Sequence, residues 1–193
     1  MTANQSNVIT LPHPDLRQRS KRVGIITEQI RELIKDMEAA TLDWEDSREH
    51  EIGVALAAVQ IDVLLRVVVI RHDFENKKDR EFIALINPEI TKYEGIPVED
   101  YEGCLSVKDI YGKVKRYPRV RVKALGPDGQ EIRLTADGFL ARVLQHEIDH
   151  TNGMVFIDHI KDDPAAFYKL DAHGQLKALN YDTDIKDNTE LWN

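Results

Sequence analysis

The sequence predicts an α+β fold in which largely antiparallel β-sheets pack around one central helix. Several apolar runs of strand length precede a longer segment with helical periodicity, residues 139–150. A Pro-Asp-Gly turn at residues 127–129 separates two short segments, residues 120–125 and 131–134, and so predicts a β-hairpin. Neighbouring strands joined in this way run antiparallel.

The first predicted element is a helix from residue 27 to about residue 40. Its apolar side chains recur three or four residues apart and therefore share one face: Ile30, Leu33, Ile34 and Met37. A charged connection, residues 43–51, follows. Residues 63–71 form a mostly apolar run typical of a buried strand, and residues 82–86 form another, which Asn87-Pro88 is expected to end.

The central helix has a broad apolar stripe. Leu140, Leu144 and Ile148 recur every four residues, and Phe139 and Val143 widen the stripe into a core face. An aspartate at position 137 is the expected N-cap, and an Asn-Gly pair at positions 152 and 153 is the expected stop signal.

His146, Glu147 and His150 form the pattern H-E-x-x-H on this helix. Residues four apart share a helix face, so the two imidazoles can close on one metal ion. The glutamate beside the first histidine is then placed to move protons on a water molecule at that ion. The alternative interpretation is a pair of surface histidines on a solvated helix.

The pattern needs a third ligand, and the sequence offers more than one. A third histidine six residues after the second would fall at position 156, which is Phe156. A downstream glutamate could only be Glu190, near a polar C-terminus. Upstream stands the only cysteine, Cys104, which is either a ligand or a small buried apolar residue.

Three motifs in order resemble the peptide deformylase family. They are Gly-Val-Ala-Leu-Ala-Ala-Val-Gln at 53–60, Glu-Gly-Cys-Leu-Ser at 102–106 and Gln-His-Glu-Ile-Asp-His at 145–150. Residues 11–17 and 151–160 are similar to the family as well, so the resemblance covers about residues 10 to 162. Details of the motifs are more similar to the branch common in Gram-positive bacteria.

The resemblance implies a metal held by Cys104, His146 and His150, with one coordination position left open. One divalent ion per chain is expected, with Fe²⁺ as the native ion and Zn²⁺, Ni²⁺ or Co²⁺ as alternatives. It also implies that Glu147 acts as general base and then as general acid.

The same resemblance assigns oxyanion stabilisation to the backbone N–H of Leu105 and the side-chain amide of Gln60. It implies that Glu102 pairs with Arg116 and holds the cysteine loop; the competing interpretation is an ordinary surface ion pair. The implied activity is metal-dependent hydrolysis of the N-formyl group from the N-terminal methionine of new peptides, which releases formate.

Substrate contact is assigned to the first motif and to the start of the central helix: Gly53, Val54, Ala55, Phe139 and Val143. The first motif is expected to form an extended edge that pairs with the peptide backbone by strand addition. Ala55 stands where the family has glycine. Two alternatives therefore remain: a deformylase-like hydrolase with altered substrate or reduced activity, and a metal-stabilised binding protein without turnover.

Composition fits a cytoplasmic enzyme with no free nucleic acid and no membrane among its partners. The formal net charge is −8, and no apolar run approaches the length of a membrane span. Residues 1–10 are expected to be a flexible tail and neither a secretory signal nor a transit peptide. Residues 11–193 are expected to form one domain, whose C-terminal extension begins at about residue 163 and contains a hairpin around His173-Gly174. Formyl-methionyl nascent peptides, with transient ribosome association, are the expected partners.

Overall fold

The computed structural model describes residues 3–47, 52–171 and 173–192. Two antiparallel sheets and two long helices alternate in layers, which confirms the α+β prediction. Helix α1 packs on one face of a five-stranded sheet, helix α2 packs on the other face, and a four-stranded sheet lies beyond α2. None of the described helices is long and apolar enough to cross a bilayer.

The helices and strands follow one another along the chain with short connections. The elements are α1 (Glu28–Asp46), β1 (Ala55–Ala57), β2 (Val67–Arg71), β3 (Phe82–Glu94), β4 (Val98–Cys104), β5 (Val107–Arg116), β6 (Arg119–Leu125), β7 (Glu131–Asp137), α2 (Gly138–Thr151), β8 (Phe167–Leu170), β9 (Leu176–Ala178) and α3 (Thr189–Trp192). The strand orders are β1-β2-β3-β6-β7 and β4-β5-β8-β9. The predicted β6–β7 and β8–β9 hairpins are both present.

Apolar side chains of the five-stranded sheet alternate between its two faces. Val67 and Val69 of β2 pack with Met37 of α1, whereas Val68 and Ile70 pack with the α2 side. Successive side chains of a strand point to opposite faces, so a continuous apolar run fits a strand that is covered on both sides. β2 begins at residue 67 and not at residue 63, because residues 63–66 form a turn that pairs with the segment around Lys21.

Helix α1 is longer than the apolar pattern predicts. It continues to Asp46, because Thr41 and Glu45 extend its buried face. The carboxylate of Glu45 accepts a hydrogen bond from Arg71 at 2.7 Å, so a polar pair replaces the apolar contact that the periodicity requires. Residues 48–51 of the predicted charged connection lie outside the described residues.

The sequence predicted that strand β3 ends at Asn87-Pro88. The strand instead continues to Glu94. Asn87 has a φ of +54°, and the register with β6 shifts between Ile86 and Glu89. Such a bulge accommodates a proline inside a strand, because the hydrogen bonds between the strands need no N–H at the position where proline lacks one. The Asn87 side chain fixes the bulge by hydrogen bonds to both the N–H and the carbonyl of Val23, each at 2.8 Å.

The described part of the N-terminal segment, for which a flexible tail was predicted, makes hydrogen bonds to the rest of the chain. Residues 5–7 form a 3₁₀ turn, and the N–H of Ala3 donates to Asp36 of α1 at 3.0 Å. At the other end of the segment, the N–H of Ile9 donates to the carbonyl of Gln60 at 2.8 Å.

The β4–β5 hairpin was not predicted from the sequence. The first four residues of β4 are all exposed, so the strand lacks the alternation of apolar and polar residues that marks a half-buried strand. This hairpin nevertheless carries the residues at 102–106, and its neighbour β8 joins it through the pairing of Tyr111 with Tyr168.

Candidate metal centre and active site

Helix α2 has the ends that the sequence predicted. Asp137 is the N-cap residue by its extended backbone, although its side chain pairs with Arg119 at 2.6 Å and does not cap the helix. Asn152 is the C-cap, and Gly153 has a φ of +78°. A Cβ at position 153 would lie 2.6 Å from the carbonyl oxygen of Arg17, so glycine is required both for the turn and for the close approach.

The last residue of β4 and two residues of α2 bring three donor atoms together. The Sγ of Cys104 lies 3.3 Å from Nε2 of His150, and His146 supplies the third donor. The three ligand atoms all lie within 4.8 Å of one another. One thiolate and two imidazoles at such spacing match a tetrahedral site for a divalent transition metal, which leaves one position open.

The charges around Cys104 favour the thiolate, the form that binds metals. Burial by itself would raise the pKa of the thiol. The imidazoles of His150 and His146 outweigh burial and lower the pKa of Cys104 to about 5.

Glu102 orients His146. The Nδ1–H of His146 donates to the Glu102 carboxylate at 3.0 Å, which leaves the other ring nitrogen available for a metal. Arg116 binds the same carboxylate through two nitrogens, at 2.9 and 3.1 Å, so the expected pairing is present. Burial would raise the pKa of Glu102, but the hydrogen bonds from His146 and Arg116 hold it well below its usual range.

Arg142 is part of this network and was missed by the sequence analysis. One of its nitrogens donates to Glu102 at 2.8 Å and to the carbonyl of Val114 at 2.8 Å, and another donates to the carbonyl of Val98 at 2.8 Å. The signal was present, because residue 142 lies four positions before His146 and therefore on the same helix face. A buried arginine there predicts a carboxylate partner.

The network continues outward along α2. Arg116 donates to Asp149 at 2.5 Å, and the imidazole of His159 donates to the same carboxylate at 2.7 Å. Burial would raise the pKa of Asp149, yet the hydrogen bond from His159 and the charge of Arg116 lower it.

Glu147 faces the cavity in front of the three ligands. Its side chain is buried, and Oε2 has no hydrogen-bond partner among the described residues. Burial raises the pKa of Glu147 to about 6, although His146 and His150 oppose the shift. A carboxylate with a pKa near neutrality can both accept and return a proton.

Gln60 presents an N–H donor to the same place. It lies in the 3₁₀ turn after β1, and its Oε1 accepts a hydrogen bond from the N–H of Ala57 at 2.8 Å. This bond directs Nε2 toward the Sγ of Cys104, at 3.6 Å, and the hydroxyl of Ser106, at 3.2 Å. Leu105 lies beside them in the turn between β4 and β5.

A cavity of about 900 Å³ opens in front of these groups. Its wall includes most of the residues that the sequence assigned to the site: Val54, Ala55, Gln60, Glu102, Cys104, Leu105, Phe139, Val143, His146 and Glu147. Within the described residues, β1 pairs only with β2, so it forms one edge of the five-stranded sheet. Ala55 is buried in β1 and does not adopt a positive φ.

Gly53 is not among the residues that line this cavity, whereas Phe139 lines it but lies outside the core face of α2. Gly53 packs against α1, where a Cβ would lie 2.7 Å from the carbonyl oxygen of Thr41, so close packing accounts for this glycine. Phe139 is 48% exposed and does not belong to the core face. It stands at the rim of the cavity with its ring edge-on to Phe74, at a centroid distance of 5.0 Å.

Comparisons with known proteins point to one family. The family model described as polypeptide deformylase matches residues 5–165. The peptide deformylase of Thermomicrobium roseum is 43% identical over 158 residues, which cover 80% of this chain and 85% of that protein. Peptide deformylase 2 of Clostridium acetobutylicum is 40% identical, over 76% of this chain and 89% of its own length.

Solved structures agree with the sequence comparisons. A peptide deformylase from Synechococcus elongatus in complex with actinonin superposes with a TM-score of 0.70 at 36% identity, covering 79% of this chain and 78% of that one. A peptide deformylase from Legionella pneumophila superposes with a TM-score of 0.70 at 40% identity, covering 82% and 86%.

Proposed function

Because this chain belongs to the peptide deformylase family, we infer that it hydrolyses the N-formyl group from the N-terminal methionine of newly made peptides and releases formate. The observation that carries this inference is Glu147, a buried carboxylate beside the thiol and two imidazoles and facing an open cavity. A protein that only binds a ligand has no use for a general base at this place. The third hypothesis, a metal-stabilised binding protein, is therefore disfavoured.

Cys104, His146 and His150 are the residues that would hold one divalent ion. Fe²⁺ is proposed as the native ion, with Zn²⁺, Ni²⁺ or Co²⁺ as alternatives, because mixed sulfur and nitrogen ligands suit all four. When bound, the ion supplies Lewis-acid polarisation and makes water a nucleophile near neutral pH.

Three groups of the chain carry out the remaining chemistry. Glu147 takes a proton from the attacking water and later gives it to the leaving amine, which is worth about 10²–10⁴ in rate. The Nε2–H of Gln60 and the backbone N–H of Leu105 donate hydrogen bonds to the oxygen that becomes negative. Each donor of this kind is worth about 10²–10³.

The peptide is proposed to bind as an added strand along β1. Backbone pairing of this kind reads no side chains, which suits an enzyme that must accept every nascent chain. The methionine side chain lies against the apolar wall of Val54, Phe139 and Val143, while Ala55 stays close to the peptide backbone. Glu102 and Arg116 touch no substrate and act by fixing His146 and the cysteine turn.

The wider setting of the enzyme is also a proposal. Its substrates place it in the cytoplasm with transient access to ribosomes, and the motif details favour the branch common in Gram-positive bacteria. Residues from about 163 onward are proposed as an extension of one catalytic domain, since β8 and β9 continue the four-stranded sheet.

The proposal is tested by the appearance of a free N-terminal amine from peptides with different N-termini, using anaerobically purified wild-type protein. Formyl-Met peptides should exceed formyl-Ala peptides by at least about tenfold in kcat/KM, because several buried methylene-sized groups are lost. Acetyl-Met peptides should react far more slowly, since the extra methyl must fit beside the ligands. Equal rates on formyl and acetyl peptides would refute the assignment.

An Ala55→Gly variant distinguishes the active deformylase from the second hypothesis, an enzyme with altered substrate or reduced activity. If the methyl group of Ala55 only crowds the peptide, the variant gains a small factor in kcat/KM on a formyl-Met tripeptide. A wild type that is inert on this substrate, together with an active variant, would replace the first hypothesis with the second.

A further inference from the structure

A second cavity, of about 480 Å³, lies at the C-terminal end of α2. It shares no lining residue with the active-site cavity among the described residues. Three arginines line it, Arg19 and Arg22 from the segment before α1 and Arg66 from the turn before β2. The chain carries a formal net charge of −8, so this concentration of positive charge runs against the overall composition.

The positive charge in this cavity is poorly neutralised by the protein. The acid among its lining residues is Glu89, which lies 4.0 Å from Arg22, and both side chains are about two-thirds exposed. Burial lowers the pKa of Arg66, and the nearby charges of Arg19 and Arg22 lower it further. An anion among the three guanidinium groups would relieve their mutual repulsion.

Two buried donors in the cavity wall lack a partner. Ser20 is 5% exposed and Arg66 is 8% exposed, yet Ser20 Oγ and Arg66 Nε form no hydrogen bond within the described part of the chain. Buried polar atoms are nearly always satisfied, so two unpaired donors, one of them on an arginine of this cavity, favour a ligand that accepts hydrogen bonds.

The donors are held in fixed positions. Arg66 donates to the side chain of Asn152 at 2.8 Å and to the carbonyl of Pro88 at 3.1 Å. The backbone N–H of Ser20 donates to the carbonyl of Thr151 at 3.0 Å, and that of Arg66 donates to Lys21 at 2.9 Å. A site organised in this way loses little freedom when a ligand binds.

We propose that this cavity binds the phosphate group of a small phosphate monoester. Arg19 and Arg22 reach the phosphate from the solvent side, while Ser20 Oγ and Arg66 Nε donate to it from the buried side. Ile90, Tyr93 and Ile148 provide an apolar wall for the organic part of the ligand. A small ligand is favoured over a nucleic acid because the net charge of the protein repels a polyanion, and the volume falls within the usual range of about 300–1,000 Å³ for small-molecule sites.

The test measures binding of inorganic phosphate by calorimetry at constant ionic strength, with chloride as the replaced anion. The double variant R19Q/R22Q should weaken phosphate binding by at least about tenfold, since two charge-assisted contacts are lost. Ser20→Ala, which removes one neutral donor, should weaken it by roughly threefold. The control R31Q/R133Q removes the same charge from two exposed arginines outside the cavity and should bind like wild type.

Each alternative outcome overturns the proposal. Unchanged affinity in R19Q/R22Q would place the phosphate elsewhere, including at a metal held by Cys104. An equal loss in R31Q/R133Q would mean that only net charge matters. A second arm compares uridine 5′-monophosphate with a twelve-nucleotide RNA at equal phosphate concentration, where tighter binding of the RNA would contradict a small-molecule site.

Discussion

Helix α2 has two unlike sides. The side that faces the five-stranded sheet is apolar and joins the core cluster through Ala141, Val143, Leu144 and Ile148. The side that faces the four-stranded sheet makes hydrogen bonds and ion pairs through Arg142, Gln145, His146 and Asp149. The ligand residues of the candidate metal centre belong to this polar side and to β4.

The two sides of α2 have different roles, because apolar packing is non-directional whereas hydrogen bonds depend strongly on geometry. Apolar burial is proportional to area and sets no precise position, so it holds α2 in place without choosing a rotamer for any side chain. Hydrogen bonds weaken steeply with angle, so the contacts of Glu102 fix both His146 and the cysteine turn. A buried ion pair adds little stability compared with apolar residues of the same volume. The polar side therefore places the ligands, and the apolar side supplies the stability.

The largest expected effect on activity comes from a substitution that removes the proposed general base and leaves the contacts on both sides of α2 intact. Glu147→Gln keeps the shape of a side chain that only faces the cavity. We expect kcat on a formyl-Met peptide to fall by about 10²–10⁴, with the metal content and the melting temperature close to wild type. If the metal is lost, Glu147 is a ligand and its assignment as a base is wrong.

The second-largest effect is expected when the hydrogen-bond network on the polar side of α2 is disrupted. Glu102→Ala leaves the buried guanidinium group of Arg142 without a carboxylate and leaves Arg116 with Asp149 alone. Removal of one partner of a buried ion pair costs about 3–5 kcal/mol in the free energy of unfolding. Loss of the group that orients a metal ligand lowers metal affinity by about 10–100-fold. Urea unfolding and a competition assay with a metal chelator measure the two effects.

Leu144→Ala is the matched control from the apolar side. It should cost about 2–5 kcal/mol through the cavity that it leaves in the core. Metal affinity of the folded protein and kcat per bound metal should not change, because Leu144 belongs to the apolar core cluster and is not one of the proposed metal ligands. Equal loss of metal affinity in both variants would remove the distinction between the two sides.

A smaller effect appears in the pH dependence of stability. The pKa values of Glu102 and Asp149 are lowered in the folded protein, so their contribution is present above their unfolded pKa values and is lost on acidification. Glu147 opposes this at higher pH, because a carboxyl with a raised pKa favours the folded state as it becomes protonated. We expect the net loss below about pH 4, where unfolded Asp and Glu titrate.

Acid unfolding of Asp149→Asn and of Leu144→Ala tests this expectation. The asparagine variant should lose less stability on acidification than wild type, whereas the alanine variant should keep the wild-type slope. Identical slopes in Asp149→Asn and wild type would show that Asp149 makes no contribution to acid sensitivity.

The apolar side of α2 was predictable from the sequence, and much of the polar side was not. The recurrence of Leu140, Leu144 and Ile148 predicts a helix with one core face, and the turn at residues 127–129 predicts the β6–β7 hairpin; both are present. Periodicity reads apolar burial, so it missed the exposed β4 strand and the polar end of α1 at Glu45. It also placed Phe139 in the core, although this ring lies at the rim of the cavity.

Most residues of the candidate site were predictable only because they resemble the motifs of a known family. The pairing of Glu102 with Arg116 came from the family resemblance, since the two residues lie on neighbouring strands that the apolar pattern did not reveal. Arg142 belongs to no motif, and its role depends on three acceptors that are brought together by the fold. The spacing of Arg142 from His146 places both residues on one helix face, but the partners of Arg142 in distant segments cannot be derived from local sequence.

The assignment of the metal ligands is tested most directly by the metal content of Cys104→Ser beside wild type. Both proteins are purified anaerobically at neutral pH, dialysed, and measured by elemental analysis together with their folded fraction. We expect close to one divalent ion per folded wild-type chain. We expect a large loss of metal in the variant, because the serine hydroxyl is not ionised and is a poor substitute for a thiolate. Full metal retention in folded Cys104→Ser would show that the cysteine is not a ligand.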